Sequence, residues 1–328
     1  MHRPLTSLSD FTAFEVPGWK PPIHPAISTG MVILDTNVIR SIVVDGLPTD
    51  AFVALVREGG TIHLADGAIV EILSWLHSAD CAWSDWERAR IRVDEFIDPE
   101  VPLMMGGREV LAQAGLLLDG PPSTFLPHEQ VEENRHIWRH LMSAKNLHEL
   151  SDIRRIIRVD GRLSHLRVNA SGAPKQVARQ KDSWVKMFER YGAAAKAENF
   201  SLKGSVVPPE LLEQQVASLG RFVDARCTSS PPASLRMDAM LRVHTLLLLR
   251  SLQKKHAYNA KNNQNDAFDF DLYRYLALPA AICTSDAGVF NDLRAAHTWQ
   301  LDWVVKPDDL KDRERRRQIL ELHWPARK

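Results

Sequence analysis

The chain has 328 residues, 45% of them hydrophobic and 25% charged, a balance that suits a soluble globular protein with a large buried core, built as one elaborated domain or two. Lys plus Arg number 41 and Asp plus Glu number 41, so no net charge advertises a nucleic-acid or membrane partner, although a local patch can still bind one. Cys81, Cys227 and Cys283 are odd in number and lack C-x-x-C spacing, which argues against a disulfide framework or a zinc knuckle and makes a reducing cytosol the expected setting.

Residues 1–29 carry Pro4, Pro17, Pro21, Pro22 and Pro25 without an apolar stretch of signal-peptide length, and read as an irregular surface arm. Met31 to Leu34 is a short apolar run that stops at Asp35, the pattern of a buried parallel strand. In an open α/β sheet the ligand crevice lies beyond the carboxyl ends of the strands, so Asp35 is the first candidate for chemistry. The competing reading is that Asp35 merely caps the helix that follows. Val38 to Val44 reads as that helix, Thr49-Asp50 starts a second one ending at Gly59-Gly60, and Thr61 to Leu64 reads as a strand. Asp66-Gly67 starts a helix with Ile69, Ile72, Leu73 and Leu76 on one stripe and Glu71 off it.

From about Cys81 to Pro232 the alternation of strand and helix disappears. Trp83 to Ile97, Glu109 to Leu118, His128 to Ala144, Lys175 to Phe200 and Pro209 to Ala225 all read as helices. Charge is split along this interval. Asp85 to Glu133 holds eleven acidic residues against four Arg, whereas Ile153 to Lys203 holds twelve Lys and Arg against four acidic residues. The second stretch is either a solvated face or a phosphate-tracking surface built from Arg154, Arg155, Arg158, Arg162, Arg167, Lys175, Arg179 and Lys181.

After Ser229-Ser230-Pro231-Pro232 the α/β rhythm returns. Leu235 to His256 reads as an apolar helix, Asn259 to Asn265 as a polar turn, and Asp266 to about Leu278 as another helix. Ala280 to Thr284 is an apolar strand that stops at Ser285-Asp286, repeating the geometry of Met31 to Asp35. Leu301 to Val305 reads as a last strand, and Pro307-Asp308 starts a charged terminal helix.

The carboxylates can now be taken together. Asp35 and Asp286 leave strand ends, Glu71 follows a strand, and Asp266 and Asp269 share a helix face, roughly 60° apart at about 100° per residue, with Asp271 pointing elsewhere. Carboxylates converging on one crevice suit a hard divalent cation such as Mg²⁺ or Mn²⁺. Such ions support phosphodiester hydrolysis by activating water and stabilising the leaving oxygen. Without a cation the carboxylates would repel one another and take up protons.

The segments V-I-L-D-T-N-V at 32–38, A-I-V-E-I-L at 68–73, N-D-A-F-D-F-D-L-Y at 265–273 and C-T-S-D at 283–286 resemble the PIN-domain nuclease family. The resemblance implies a three-layer α/β/α sandwich with a central parallel sheet, whose acidic cluster binds Mg²⁺ or Mn²⁺ to cut single-stranded RNA or, in some members, DNA flaps. Asp35, Glu71, Asp269 and Asp286 match the acidic residues, Asp266 an additional acid of some members, and Asn37 and Thr284 the polar residues that hold the first and last acids, with Ser285 beside them. It covers residues 30–78 and 234–306, leaving 1–29 as the arm, 79–233 as a helical insertion and 307–328 as the charged terminal helix. The expected function is thus a cytoplasmic, metal-dependent endoribonuclease with no membrane partner. The alternative is a catalytically silent scaffold that binds a protein or nucleic acid through the insertion, which also offers a surface for a partner or a second copy.

Three other patterns are weaker. D-F-D at 269–271 superficially resembles the D-x-D of haloacid-dehalogenase-like phosphatases but falls within a helical pattern rather than after a strand. His136 and His140 are four apart and could share a metal, although two histidines without a third ligand are more often solvated. Tryptophans 75, 83, 86, 138 and 184 could stack bases but sit at spacings that suit packing. No P-loop, G-x-G-x-x-G, H-E-x-x-H or G-x-S-x-G is present.

Overall fold

The computed structural model describes residues 30–78, 82–104, 111, 116, 128–159, 162–168, 186, 207–227, 229, 231–251 and 272–324. The N-terminal arm, Cys81, Trp184, all but residue 186 of the helix expected over 175–200, most of the one over 109–118, and Asp266, Asp269 and Asp271 lie outside them.

The order begins β1 (Met31–Leu34), α1 (Thr36–Val44), α2 (Asp50–Arg57), β2 (Thr61–Leu64), α3 (Ala68–Ser78), α4 (Trp83–Asp94) and α5 (His128–Ser143). It continues with β3 (Ile153–Val159), β4 (Arg162–Val168), α6 (Pro209–Asp224), α7 (Ala233–Arg236) and α8 (Asp238–Ser251). It ends with β5 (Ala280–Cys283), α9 (Ala287–Ala295), β6 (Val304–Val305) and α10 (Arg313–Leu320). β1, β2, β5 and β6 form a four-stranded sheet in the order β2-β1-β5-β6, and every pairing in it is parallel. The fold class is therefore α/β.

Strand pleating sends alternate side chains to opposite faces of this sheet. Met31, Ile33, Ala280, Ile282 and Val304 belong to one apolar core with residues of α6, α8 and α9. Val32, Leu34, Ile62, Leu64, Ala281, Cys283 and Val305 belong to a second core with residues of α1, α2, α3, α4, α5 and α10. Helices thus cover both faces, which explains why β1 and β5 read as unbroken apolar runs: all eight of their residues are buried. The free edge of β2 is occupied by the segment 98–104, where Asp98 N–H donates to Ile62 O, Leu64 N–H to Pro102 O and Met104 N–H to Leu64 O.

At the amino end of the sheet the chain turns tightly. Gly30 has φ +91°, a left-handed conformation that strains any residue with a Cβ, and an added Cβ would also crowd the Leu320 side chain at 2.9 Å.

The structure corrects three sequence expectations. The interval 79–233 is not wholly helical, because β3 and β4 form an antiparallel hairpin with Ile153 opposite Val168 and Val159 opposite Arg162. In Ile153-Arg-Arg-Ile-Ile-Arg-Val the β-branched residues favour a pleated strand, and the local excess of charge masks that preference. Leu301 to Trp303 is not strand: Trp299–Trp303 is a 3₁₀ turn, and only Val304–Val305 pair with β5. The Thr298 hydroxyl accepts from Gln300 N–H, and the fully buried Gln300 side chain accepts from Ala239 N–H and donates to Arg236 O and Leu276 O. Those bonds hold the segment in a turn. Pro307 to Lys311 is likewise a 3₁₀ turn, and the terminal helix starts only at Arg313, where Asp312 caps it by accepting from Glu314 N–H. No helix among the described residues is long and apolar enough to cross a membrane.

Candidate active site at the strand switch point

The strand order contains one reversal. From β1 the chain moves through α1 and α2 to β2 on one side, whereas from β5 it moves through α9 to β6 on the other. α1 leaves the sheet toward one core and α9 toward the opposite one, so a crevice opens between the carboxyl ends of β1 and β5. This is the topological switch point at which open α/β sheets bind ligands. The residues at its two lips are Asp35-Thr36-Asn37 and Thr284-Ser285-Asp286.

The two lips are tied together by a continuous set of hydrogen bonds. Asp35 N–H donates to Cys283 O at 3.0 Å, continuing the parallel ladder one step past the strands. Asp35 Oδ2 accepts from Asn37 Nδ2 at 2.5 Å and from the Thr284 hydroxyl at 2.7 Å. Thr284 Oγ1 accepts in turn from Asp286 N–H at 3.0 Å and from Asn37 Nδ2 at 3.1 Å, and Asn37 Oδ1 accepts from Ser285 N–H at 3.1 Å. Thr284 is fully buried, Asp35 and Asn37 are half-buried, and Ser285 is exposed.

These contacts separate the roles of the two aspartates. The Asp35 side chain makes no capping bond to α1 although it sits at the N-cap position, so the capping reading does not explain it. Asp286 does cap α9, with Oδ1 accepting from Gly288 N–H at 2.6 Å. Its charge is nevertheless felt across the crevice. The Asp35 carboxyl is pushed up from 3.8 to about 6, chiefly by desolvation and further by the Asp286 charge, against the opposing pull of the Thr284 hydroxyl and the nearby Thr36 and Asn37 amides. Beneath it, burial keeps the Cys283 thiol protonated, with the Asp35 charge adding to the effect.

Asp35 therefore has neutral donors on Oδ2 and no cationic partner among the described residues, while its ionised form is penalised. A site of this kind gains from a positive charge arriving at the carboxylate. Carboxylate oxygens on two adjacent strand ends are the donor type that Mg²⁺ or Mn²⁺ takes. Among the described residues, no group of three or more His, Cys, Asp or Glu is assembled to hold a metal ion.

The structure brings together Asp35, Asn37, Thr284, Ser285 and Asp286. Glu71 lies half-buried in the first turn of α3, after β2 and on the same sheet end, without a contact that links it to Asp35. Asp66 also follows β2; its N–H donates to the buried Tyr275 hydroxyl at 2.9 Å, which pins this loop to the helical turn at 272–275. Arg154, Arg155, Arg158, Arg162 and Arg167 occupy the β3-β4 hairpin, where the register sets Arg154 opposite Arg167, Arg155 opposite Leu166 and Arg158 opposite Leu163. Lys175, Arg179 and Lys181 lie outside the described residues.

Of the weaker patterns, D-F-D at 269–271 and Trp184 lie outside the described residues, and the histidine pair and two of the tryptophans can be placed. The His136 and His140 rings lie parallel with centroids 6.5 Å apart, and His140 Nε2 bonds Glu149 O at 2.6 Å, so they are not converging on one ion. Trp86 and Trp138 are buried, and Trp138 donates to Asp94 Oδ1. Sequence reasoning missed His63, fully buried in β2 with Nδ1 on Val101 O at 2.7 Å and Nε2 on Thr61 Oγ1 at 3.0 Å. An isolated His in an apolar strand carries no signal of such partners.

No family model, curated protein or solved structure gives a significant match to this chain, so its classification rests on the α/β architecture and the switch-point site.

Proposed function

We propose that the protein is a divalent-metal-dependent nuclease of PIN-like design that hydrolyses phosphodiester bonds, with single-stranded RNA as its main substrate and single-stranded DNA as a lesser one. The observation that carries this reading is the Asp35 carboxylate. It sits at the switch point beside Asp286, is held by neutral donors and has its pKa raised to about 6. A Mg²⁺ or Mn²⁺ ion bound at these oxygens would activate water and neutralise charge on the phosphoryl group. Asp35 and Asp286 would hold it, with Asp269 and Asp266 as the further acids of the family resemblance, and Glu71 would complete the site or orient water. Asn37 and Thr284 fix the Asp35 rotamer, and the Thr284 hydroxyl, by accepting from Asp286 N–H, also fixes the start of α9. The arginines of the hairpin would guide the strand.

The test is thermal unfolding with and without Mn²⁺, joined to cleavage of a labelled single-stranded RNA. A ligand that binds only the native state raises its apparent stability. The reading requires a metal-dependent upward shift that Asp35→Asn abolishes, together with metal-dependent cleavage lost in the same variant. Cleavage that survives in both Asp35→Asn and Asp286→Asn overturns it.

A silent scaffold is the second reading. The observation that favours it is the capping bond already made by Asp286. It requires no metal-dependent shift and no cleavage, with a protein or nucleic acid bound through the segment between α3 and α7.

A further inference from the structure

Beyond the acids themselves, the crevice is flanked by cations that lean on aromatic rings. On the α9 side, Phe290 is four residues after Asp286 and Arg294 eight, so all three share one helical stripe with steps of about 6 Å. The Arg294 guanidinium lies 5.9 Å from the Phe290 ring centroid, and the Lys306 ammonium lies 5.6 Å from the same centroid. Lys306 directly follows β6, so it stands at the carboxyl edge of the strand next to β5. On the α1 side, Arg40 is one turn past Asn37, and its guanidinium lies 5.9 Å from the Trp75 ring, one turn past Glu71 in α3. Phe290 is buried, Trp75 half-buried, and the three cations are exposed.

These cations differ from the arginines that hold the fold together. Arg242, Arg250 and Arg316 each form an ion pair with a carboxylate at 2.6 to 2.7 Å. Arg40, Arg294 and Lys306 form none among the described residues. The carboxylates near Lys306 make their close contacts elsewhere: Asp308 pairs with Lys311 at 2.7 Å and feels Lys306 only as a lesser charge, Asp309 accepts from the Lys306 N–H, and Asp312 caps α10. Among the described residues, Arg294 has, besides the Phe290 ring, a long contact to Asn291 Oδ1 at 3.5 Å. Two like charges at 5.9 and 5.6 Å from the centroid of one buried ring repel each other, and an anion bound beside them relieves that repulsion. The ring quadrupole fixes their position without neutralising them.

Arg40 with Trp75 stands on the face covered by α1 and α3, and Arg294 with Lys306 on Phe290 on the face covered by α9, with Asp35 and Asp286 at the strand ends between the two faces. Parallel strands are about 4.8 Å apart, so the edge from β2 to β6 spans roughly 14 Å, the width of a short run of nucleotides. We infer that Arg40 on one side, and Arg294 with Lys306 on the other, bind the phosphates that flank the bond at Asp35, so that a single strand crosses the crevice from the α1 face to the α9 face. This rests on the nuclease reading and adds to it a substrate path near the acids, separate from the hairpin arginines.

The experiment uses the full chain with Asp35→Asn to prevent cleavage, in Mn²⁺, and follows fluorescence anisotropy of a labelled oligouridylate across a salt series. Single-strand binding loses about 0.7 in the slope of log K against log salt for each phosphate contact removed. Lys306→Gln with Arg294→Gln is expected to weaken binding about tenfold and lower the slope by about 1.4, and Arg40→Gln to lower it by about 0.7. Lys306→Arg with Arg294→Lys keeps both, and Arg88→Gln on α4 leaves the parent curve unchanged. Parental affinity and slope in the Gln variants overturn the path. So does a parent that fails to bind the oligonucleotide, and metal-dependent cleavage by the unmutated chain then decides whether the nuclease reading stands without it.

Discussion

The two ends of the sheet treat a carboxylate in opposite ways. At the amino end, Glu58 closes α2 just before β2 and meets the buried Arg316 of α10 in a two-pronged pair, Nε to Oε2 at 2.9 Å and Nη2 to Oε1 at 2.7 Å. Arg316 also donates to Leu310 O and Lys311 O, and the pair holds the Glu58 carboxyl below its usual range, its hydrogen bonds to Arg316 being the main cause. At the carboxyl end, Asp35 is surrounded by hydroxyl, amide and a second acid, and its carboxyl is pushed up to about 6. A carboxylate matched to a guanidinium staples the terminal helix to the sheet. A carboxylate denied a cation retains its demand for one, and that is the signature of a site rather than a staple.

Asp35→Asn tests this contrast most severely. Asparagine keeps the shape and can still accept from Thr284, so the fold should persist while cleavage of single-stranded RNA falls at least about a thousandfold, the scale of losing a transition-state interaction. A smaller loss would place Asp35 among the structural polar residues.

The same variant should be more stable than the parent. The Asp35 carboxyl is neutral in both folded and unfolded states below pH 3.8 and ionised in both above about pH 6, where only the native state bears the desolvation cost. The shift corresponds to about 3 kcal/mol at most, and residual solvent contact reduces it, so Asp35→Asn should gain about 1–3 kcal/mol at pH 7. That gain should shrink as pH falls through 6 and vanish below about 4. Thermal midpoints of both proteins across this range check the sign, and a loss of stability at pH 7 would mean that Asp35 is satisfied without a cation.

Thr284→Val tests the neutral donors. It removes the hydroxyl that donates to Asp35 and accepts from Asp286 N–H in a fully buried place, at a cost of about 1–2 kcal/mol by denaturant unfolding. It also withdraws the hydroxyl that lowers the Asp35 pKa, so the acid limb of the pH–rate profile should move to higher pH. The smallest effect on chemistry is expected at the other end of the sheet. Arg316→Gln should lower the unfolding midpoint by a few degrees and leave cleavage per folded molecule unchanged. A variant that folds but no longer cleaves would show that the staple reaches the site.

Much of this architecture is written locally. Met31–Leu34 and Ala280–Cys283 are apolar runs that stop at polar residues, so their burial, and the placement of Asp35 and Asp286 just beyond them, follow from short-range pattern alone. Thr61–Leu64 and the helices at 83, 128 and 209 were legible for the same reason. The hairpin at Ile153–Val168 was not, because charge at alternate and adjacent positions hides a period of two. Nor was the turn at Trp299–Trp303, which depends on Gln300 finding partners in α8 and in the 272–278 segment.

Which carboxylates end strands is a local matter, since an apolar run and its polar stop are nearest-neighbour facts. That β1 and β5 are neighbours, that the strand order reverses between them, and that Thr284 closes on the Asp35 oxygen already held by Asn37 follow from distant segments packing together. These contacts join residues nearly 250 positions apart, and their geometry is set by how two hydrophobic cores clamp one sheet. The elevated Asp35 pKa is a property of that enclosure, because desolvation depends on what surrounds a group in space rather than on what precedes it in the chain.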